Sequence, residues 1–166
     1  HQTGLLDYDS VKQAYQNIAV KVKVEAFIDE MAAAYQWADL VICRAGALTV
    51  SEVAAAGVAS IFIPYPHAVD NHQYDNACYL SHADAALLYT QDQFDIGTLL
   101  ALIARFVNDR MALQKIALRA RKRAITTAAQ AVANKSVQIL QQYNFLLERK
   151  SIKRIYCIGI GGIGVS

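Results

Sequence analysis

The chain has 166 residues, of which 55 % are hydrophobic and 18 % charged, and its formal net charge is +2. The length matches about one domain with a core of its own, and the apolar content excludes intrinsic disorder. So slight a basic excess makes no electrostatic case for a dedicated nucleic-acid binder, and 2 prolines with 8 glycines exclude a collagen-like or linker-like chain.

The three cysteines, Cys43, Cys78 and Cys157, are odd in number and widely spaced. They read as reduced thiols and not as a disulfide framework. His67 and His72 stand five apart without a third ligand type beside them, so no metal site is expected. No apolar run reaches the roughly 18 residues that a membrane-spanning helix needs. The chain opens on His1 and stops at Ser166, just after a glycine-rich turn, and is expected to be part of a longer polypeptide.

In chain order, residues 8–17 predict a short helix. Val20, Val22, Val24 and Ala26 alternate with Lys21, Lys23 and Glu25, the period-2 pattern of a strand. Asp29 is placed to cap a helix over 31–38, and Trp37 reads as a packing residue. Leu40 to Cys43 form an apolar run that predicts a buried strand, and 48–56 predicts a helix closed by Gly57. Residues 61–63 predict a second strand, stopped by Pro64, and 65–71 a loop. A helix over 73–82 and a strand over 85–89 follow, then two or three helices from Phe94 to Leu147. Residues 148–151 are a polar connector. Beyond them 153–158 reads as a new strand running into Gly159-Ile160-Gly161-Gly162-Ile163-Gly164.

Short apolar strands alternating with helices of about ten residues predict a parallel sheet covered on both faces. Ligands on such sheets bind at the carboxyl ends of the strands. The turns that follow Cys43 and Ile63 are therefore the candidate sites.

In the run from Arg44 to Glu52, a strand ends, small residues turn, and a helix begins. The unpaired N–H groups and positive dipole end of a helix's first turn suit a diphosphate. Glu52 lies one turn in, where a carboxylate can accept both hydroxyls of a ribose. Thr49 and Glu52 also have capping-box spacing, which needs no ligand. In the loop from Pro64 to Gln73, Asp70, Asn71, His72 and Gln73 offer donors and acceptors suited to sugar hydroxyls. Equally, Asp70 or Asn71 has only to cap the next helix. Gly159, Gly161, Gly162 and Gly164 follow a predicted strand in the spacing of a nucleotide-binding turn. Lys115, Arg119, Arg121, Lys122 and Arg123 tint one helix basic, which is read as a solvated face, with attraction to anionic lipid as the alternative.

Taken in order, His1-Gln2-Thr3-Gly4, Phe27-Ile28-Asp29-Glu30-Met31, the stretch from Ala38 through Arg44-Ala45-Gly46 to Glu52, and Pro64 through Gln73 resemble the C-terminal domain of the MurG family. The resemblance covers residues 1–143. It implies the donor-binding, Rossmann-like half of a GT-B glycosyltransferase, with helices on both faces of a parallel sheet over 1–147. The implied reaction moves N-acetylglucosamine, with inversion, from UDP-N-acetylglucosamine to undecaprenyl-pyrophosphoryl-muramyl-pentapeptide in peptidoglycan synthesis (lipid I to lipid II). Ile28 would meet the uracil through its backbone. Ala47, Leu48 and Thr49 would present the turn to the diphosphate and sugar, with Arg44 counted among the substrate-binding residues. Glu52 would hold the ribose diol, and His72 and Gln73 the sugar hydroxyls. The family often carries two glutamines where this chain has His72 and Gln73.

The resemblance implies no metal and no cofactor besides the donor. It places the acceptor cleft, the membrane-facing patch and the general base in the half that precedes this chain, so no catalytic base is assigned here. It further implies a peripheral position on the cytoplasmic face of the inner membrane, and an inactive fragment when this chain is taken alone. Residues 154–166 are similar to the start of the MurC ligase family, so 148–166 would be a connector and the opening of a second nucleotide-binding domain. A non-catalytic nucleotide-binding module and a piece of a Mur ligase fusion are the competing readings.

Overall fold

The computed structural model describes residues 1–67 and 69–146. The predicted connector, the strand over 153–158 and the turn with Gly159, Gly161, Gly162 and Gly164 lie outside the described residues. The chain divides into two compact units, His1–Ala38 and the residues from Asp39 onward.

The first unit holds α1 (Tyr8–Ala14) and α2 (Met31–Trp37). The strand expected over 20–26 does not form. Only an isolated parallel bridge joins Gln2 to Glu25, with Thr3 N–H donating to the Glu25 carbonyl and Gly4 N–H to that of Ala26, each at 3.0 Å. A strand needs a partner for its backbone and a buried face for its side chains. Here the alternation gives no buried face: Val20 is 65 % exposed, Val22 38 %, and Val24 is only half-buried. Asp29 does not cap α2. The N-cap position falls to Glu30, and no side chain bonds there. Trp37 is not a packing residue either. It lies 88 % exposed at the last position of α2, while Tyr35 takes the buried face of that short helix.

The second unit is an α/β layer built on a three-stranded parallel sheet in the order β1 (Leu40–Cys43), β2 (Ala59–Phe62), β3 (Leu87–Leu88). Leu40 pairs with Ala59 and Cys43 with Phe62. Ile61 pairs with Leu87. Between the strands run α3 (Ala47–Ala56) and α4 (His72–Ser81), the latter preceded by a single 3₁₀ turn over Val69–Asn71. After β3 come α5 (Ile96–Asn108), α6 (Arg110–Arg123) and α7 (Ala128–Leu146).

All four residues of β2 are buried, as expected for a central parallel strand covered on both faces. Ala59 and Ile61 share one face and pack with Leu102 and Phe106 of α5 and Leu113 of α6. α6 also lies against α3, and α4 against α3 and β3. Gly57 ends α3 with φ of 67°, the left-handed position in which glycine carries no steric penalty. Among the described residues no helix is long and apolar enough to cross a membrane.

Candidate functional site

The carboxyl edge of the sheet carries three loops: residues 44–46 after β1, the stretch beginning at Ile63 after β2 and 89–95 after β3. The first of these feeds α3. The helix begins at Ala47 with Gly46 as its N-cap, two residues before Thr49. The Thr49–Glu52 capping box therefore does not form, and no side chain caps α3. A glycine N-cap has no oxygen to offer the first-turn amides, and no acidic residue stands in that turn. The start of α3 is thus electropositive, and among the described residues no side chain caps its first-turn amides.

Gly46 itself has an ordinary extended backbone, with φ of −62°. A Cβ built on it would meet only the Thr49 Oγ1, at 3.6 Å. Neither conformation nor packing inside the chain demands glycine there. What glycine does provide is an open approach to the first turn. Ala47 and Leu48 are exposed beside it, and Thr49 and Glu52 are half-buried. Three residues apart, Thr49 and Glu52 share one face of α3, offset by about 4.5 Å along its axis.

The turn is held from behind. Ala45 is fully buried, and its carbonyl accepts the Asn76 side-chain amide of α4 at 3.1 Å. Arg44 is exposed but engaged. Its guanidinium donates through Nη1 to the carbonyls of Ile63 and Pro64, each at 3.1 Å, and through Nη2 to the Gln91 Oε1 at 2.9 Å. The same group lies over the Tyr65 ring, 5.6 Å from its centroid.

At the second loop, His72 and Gln73 open α4. The N-cap Asn71 has φ of 55° and no side-chain cap bond, and Asp70 before it has φ of 51°. Two consecutive left-handed non-glycine residues are tolerated here because Asp and Asn pay the least for that conformation. Gln73 reaches back, its Oε1 accepting the Tyr65 N–H at 2.9 Å. Its NH₂ end retains two donors. His72 is exposed. A concavity of about 540 Å³ opens between the loops after β2 and β3, with Tyr65, Tyr74, Gln91 and Asp92 in its wall. The Asp92 carboxyl is held below its ordinary range, chiefly by a hydrogen bond from the Thr90 side chain.

In the first unit, Ile28 is half-buried, and its N–H faces the Gln2 Oε1 at 3.3 Å.

Comparison with known proteins gives this edge its context. Residues 1–143 match the glycosyltransferase family 28 C-terminal domain. The chain belongs to that family. Within family 28, it is 50 % identical over 132 residues to the UDP-N-acetylglucosamine–N-acetylmuramyl-(pentapeptide) pyrophosphoryl-undecaprenol N-acetylglucosamine transferase of Coxiella burnetii strain RSA 331, covering 80 % of this chain and 37 % of that protein. It is 46 % identical over 144 residues to the enzyme of the same name from Shewanella piezotolerans, covering 86 % of this chain and 40 % of that one. The crystal structure of Acinetobacter baumannii MurG superposes with a TM-score of 0.74 at 40 % identity, over 81 % of this chain and 41 % of that one. The chain therefore spans about two fifths of the length of these family 28 relatives. The Rossmann-like α/β fold expected for the C-terminal half of a GT-B enzyme is the fold observed.

The structure gathers Arg44, Ala47, Leu48, Thr49, Glu52, His72 and Gln73 on the carboxyl edge of one sheet. Sequence reasoning missed Asn76 and Gln91. Asn76 left a signal, because asparagine inside a helix is a poor helix former and asks for a reason. Gln91 left none.

Proposed function

We propose that the intact protein transfers N-acetylglucosamine from UDP-N-acetylglucosamine to undecaprenyl-pyrophosphoryl-muramyl-pentapeptide, and that this chain is its donor-binding half. The named activity of the Coxiella and Shewanella relatives supports the reaction. The single structural observation that carries the assignment of the site is the uncapped, glycine-led start of α3. An electropositive helix end left open by its own side chains suits a diphosphate.

In this reading Ala47, Leu48 and Thr49 present the diphosphate-binding turn, and Glu52 accepts the ribose hydroxyls. His72 and Gln73 meet the sugar, and the Ile28 backbone meets the uracil. The acceptor hydroxyl attacks the anomeric carbon as the bond to the UDP oxygen breaks, with inversion. Negative charge then builds on the departing UDP, where the start of α3 is already oriented to receive it. That stabilisation strengthens as the bond breaks, which is what lowers the barrier. The donor is held without a metal, and the base and the acceptor belong to the part of the protein beyond this chain. The protein works at the cytoplasmic face of the membrane, on a lipid-linked acceptor.

The test is calorimetry on the intact protein. Glu52→Ala is expected to weaken UDP-N-acetylglucosamine binding by about tenfold or more, the loss of a charge-assisted pair of hydrogen bonds. Unchanged affinity removes Glu52 from the site. Binding that persists in a chelator is expected as well, and its loss would call for a metal.

A further inference from the structure

We infer that Arg44 is a positioning residue: its guanidinium locks the loops after β1, β2 and β3 into one unit, and so sets the spacing between the start of α3 and the start of α4. The inference rests on the reading of the carboxyl edge as a donor site, and it recasts Arg44, which the family resemblance counts among the substrate-binding residues, as a residue that fixes the site without touching the donor.

Three polar contacts carry the argument. Nη1 holds the Ile63 and Pro64 carbonyls, both at 3.1 Å, and Nη2 holds the Gln91 Oε1 at 2.9 Å. Arg44 is two residues before the Gly46 N-cap. Pro64 is one residue before Tyr65, whose N–H is held by Gln73 on the first turn of α4. An unbroken path thus runs from the diphosphate turn through the guanidinium and residues 63–65 to Gln73. The Tyr65 ring lies beside the guanidinium, its centroid 5.6 Å away. The planar fork of arginine can serve carbonyls on one edge and an amide oxygen on another, which a lysine ammonium on its flexible stem does not reproduce.

The consequence is a division of labour. The start of α3 reads the diphosphate by itself. Reading the sugar in the same molecule requires Gln73 at a fixed distance from that turn, and a displacement of about 1 Å costs far more than its size implies.

The experiment uses the intact protein, with Arg44→Lys and Gln91→Ala. Dissociation constants for UDP and for UDP-N-acetylglucosamine are compared, with thermal melts run alongside. Arg44→Lys is expected to leave UDP affinity within about twofold while weakening UDP-N-acetylglucosamine about tenfold, with a matching rise in the donor KM relative to any fall in kcat. Gln91→Ala, which removes one partner of the fork, is expected to show the same split at smaller size. Equal loss of both ligands in Arg44→Lys, or full rescue by lysine, means that Arg44 meets the ligand as a charge and overturns the proposal. If Arg44→Lys fails to fold, Gln91→Ala decides, and the absence of a split there overturns it too. A wild-type protein that binds neither ligand fails at an earlier step: the donor-site reading falls, and the brace with it.

Discussion

Gly57 at the end of α3 sits directly against Arg121 of α6, so that a Cβ built on the glycine would come within 3.0 Å of the Arg121 Cβ. The contact is reinforced by the Arg121 guanidinium, which donates to the Ala55 carbonyl. Two independent costs therefore meet at one position: a φ of 67°, which side chains resist, and a close approach between two helices. Gly57→Ala is expected to destabilise the fold by about 1–3 kcal/mol in urea unfolding, through both terms together. A midpoint equal to wild type would show that α6 is free to move away.

The two sides of α5 are expected to answer mutation very differently. Phe106 is 4 % exposed and packs with Ile61 and Leu113, while Val107, the next residue, points away from that core and is 69 % exposed. Phe106→Ala should cost about 3–5 kcal/mol, the loss of a large buried ring and the cavity it leaves. Val107→Ser should stay within about 0.5 kcal/mol. Comparable losses in denaturant titrations would show that α5 is rotated from the orientation described.

Asp95 caps α5 by accepting the Thr98 N–H at 2.7 Å, and that bond holds its carboxyl below the ordinary value of 3.8. A carboxyl with a lowered folded-state pKa contributes stability above its unfolded value and loses it as pH falls through the folded one. Wild type should therefore lose stability on acidification below about pH 4. Asp95→Asn, which keeps an acceptor and drops the charge, should show a shallower acid limb. Urea midpoints across pH 7 to 3 test this, and parallel curves for the two proteins reject it.

Burial pushes the Cys43 thiol up to about 12. Cys43 ends β1, immediately before the turn that leads into α3. At pH 8 almost none of it is thiolate while the sheet is intact, so alkylation of the half-buried thiol by iodoacetamide should be much slower than in the unfolded chain. Mass-spectrometric labelling should find Cys43 slow in buffer and fast in urea. Rapid native labelling would mean that the carboxyl end of β1 is more open than its burial implies.

Much of the second unit is legible in the residues themselves. Leu40 to Cys43 announce a strand because the run is apolar throughout, and Gly57 announces a helix end because only glycine is at ease there. The burial expected of Leu40 to Cys43 is not met: β1 is an edge strand of the described sheet, none of its residues is fully buried, and Ile42 is 44 % exposed. The start of α4 at His72 and the strand containing Leu87 and Leu88 fall within one or two residues of expectation. The failures have a common cause, since each depends on what a segment meets after the chain folds. Val20, Val22 and Val24 alternate like a strand, yet alternation says nothing of whether a partner is there to accept the backbone. Trp37 looks like core material, but Tyr35 occupies the buried side of so short a helix. The capping spacing of Thr49 and Glu52 is present in sequence and idle in structure, because α3 starts at Ala47. Of the candidate site, the backbone turn and its flanking side chains are visible from sequence. The ties behind it are not: the bonds from Arg44 to Ile63, Pro64 and Gln91 join residues from three separate loops, and no local pattern records them.

The packing of Ala59 and Ile61 against Leu102, Phe106 and Leu113 also bears on how the protein is made. During synthesis β1, α3 and β2 leave the ribosome well before the helices that cover this side of β2. Until Leu113 has emerged, the nascent chain carries a bare apolar strip along its central strand, and parallel pairing offers no hairpin to hide it. Slow translation between Phe62 and Leu113 would lengthen that vulnerable interval, and this is the stretch over which a holdase chaperone would have the most to protect.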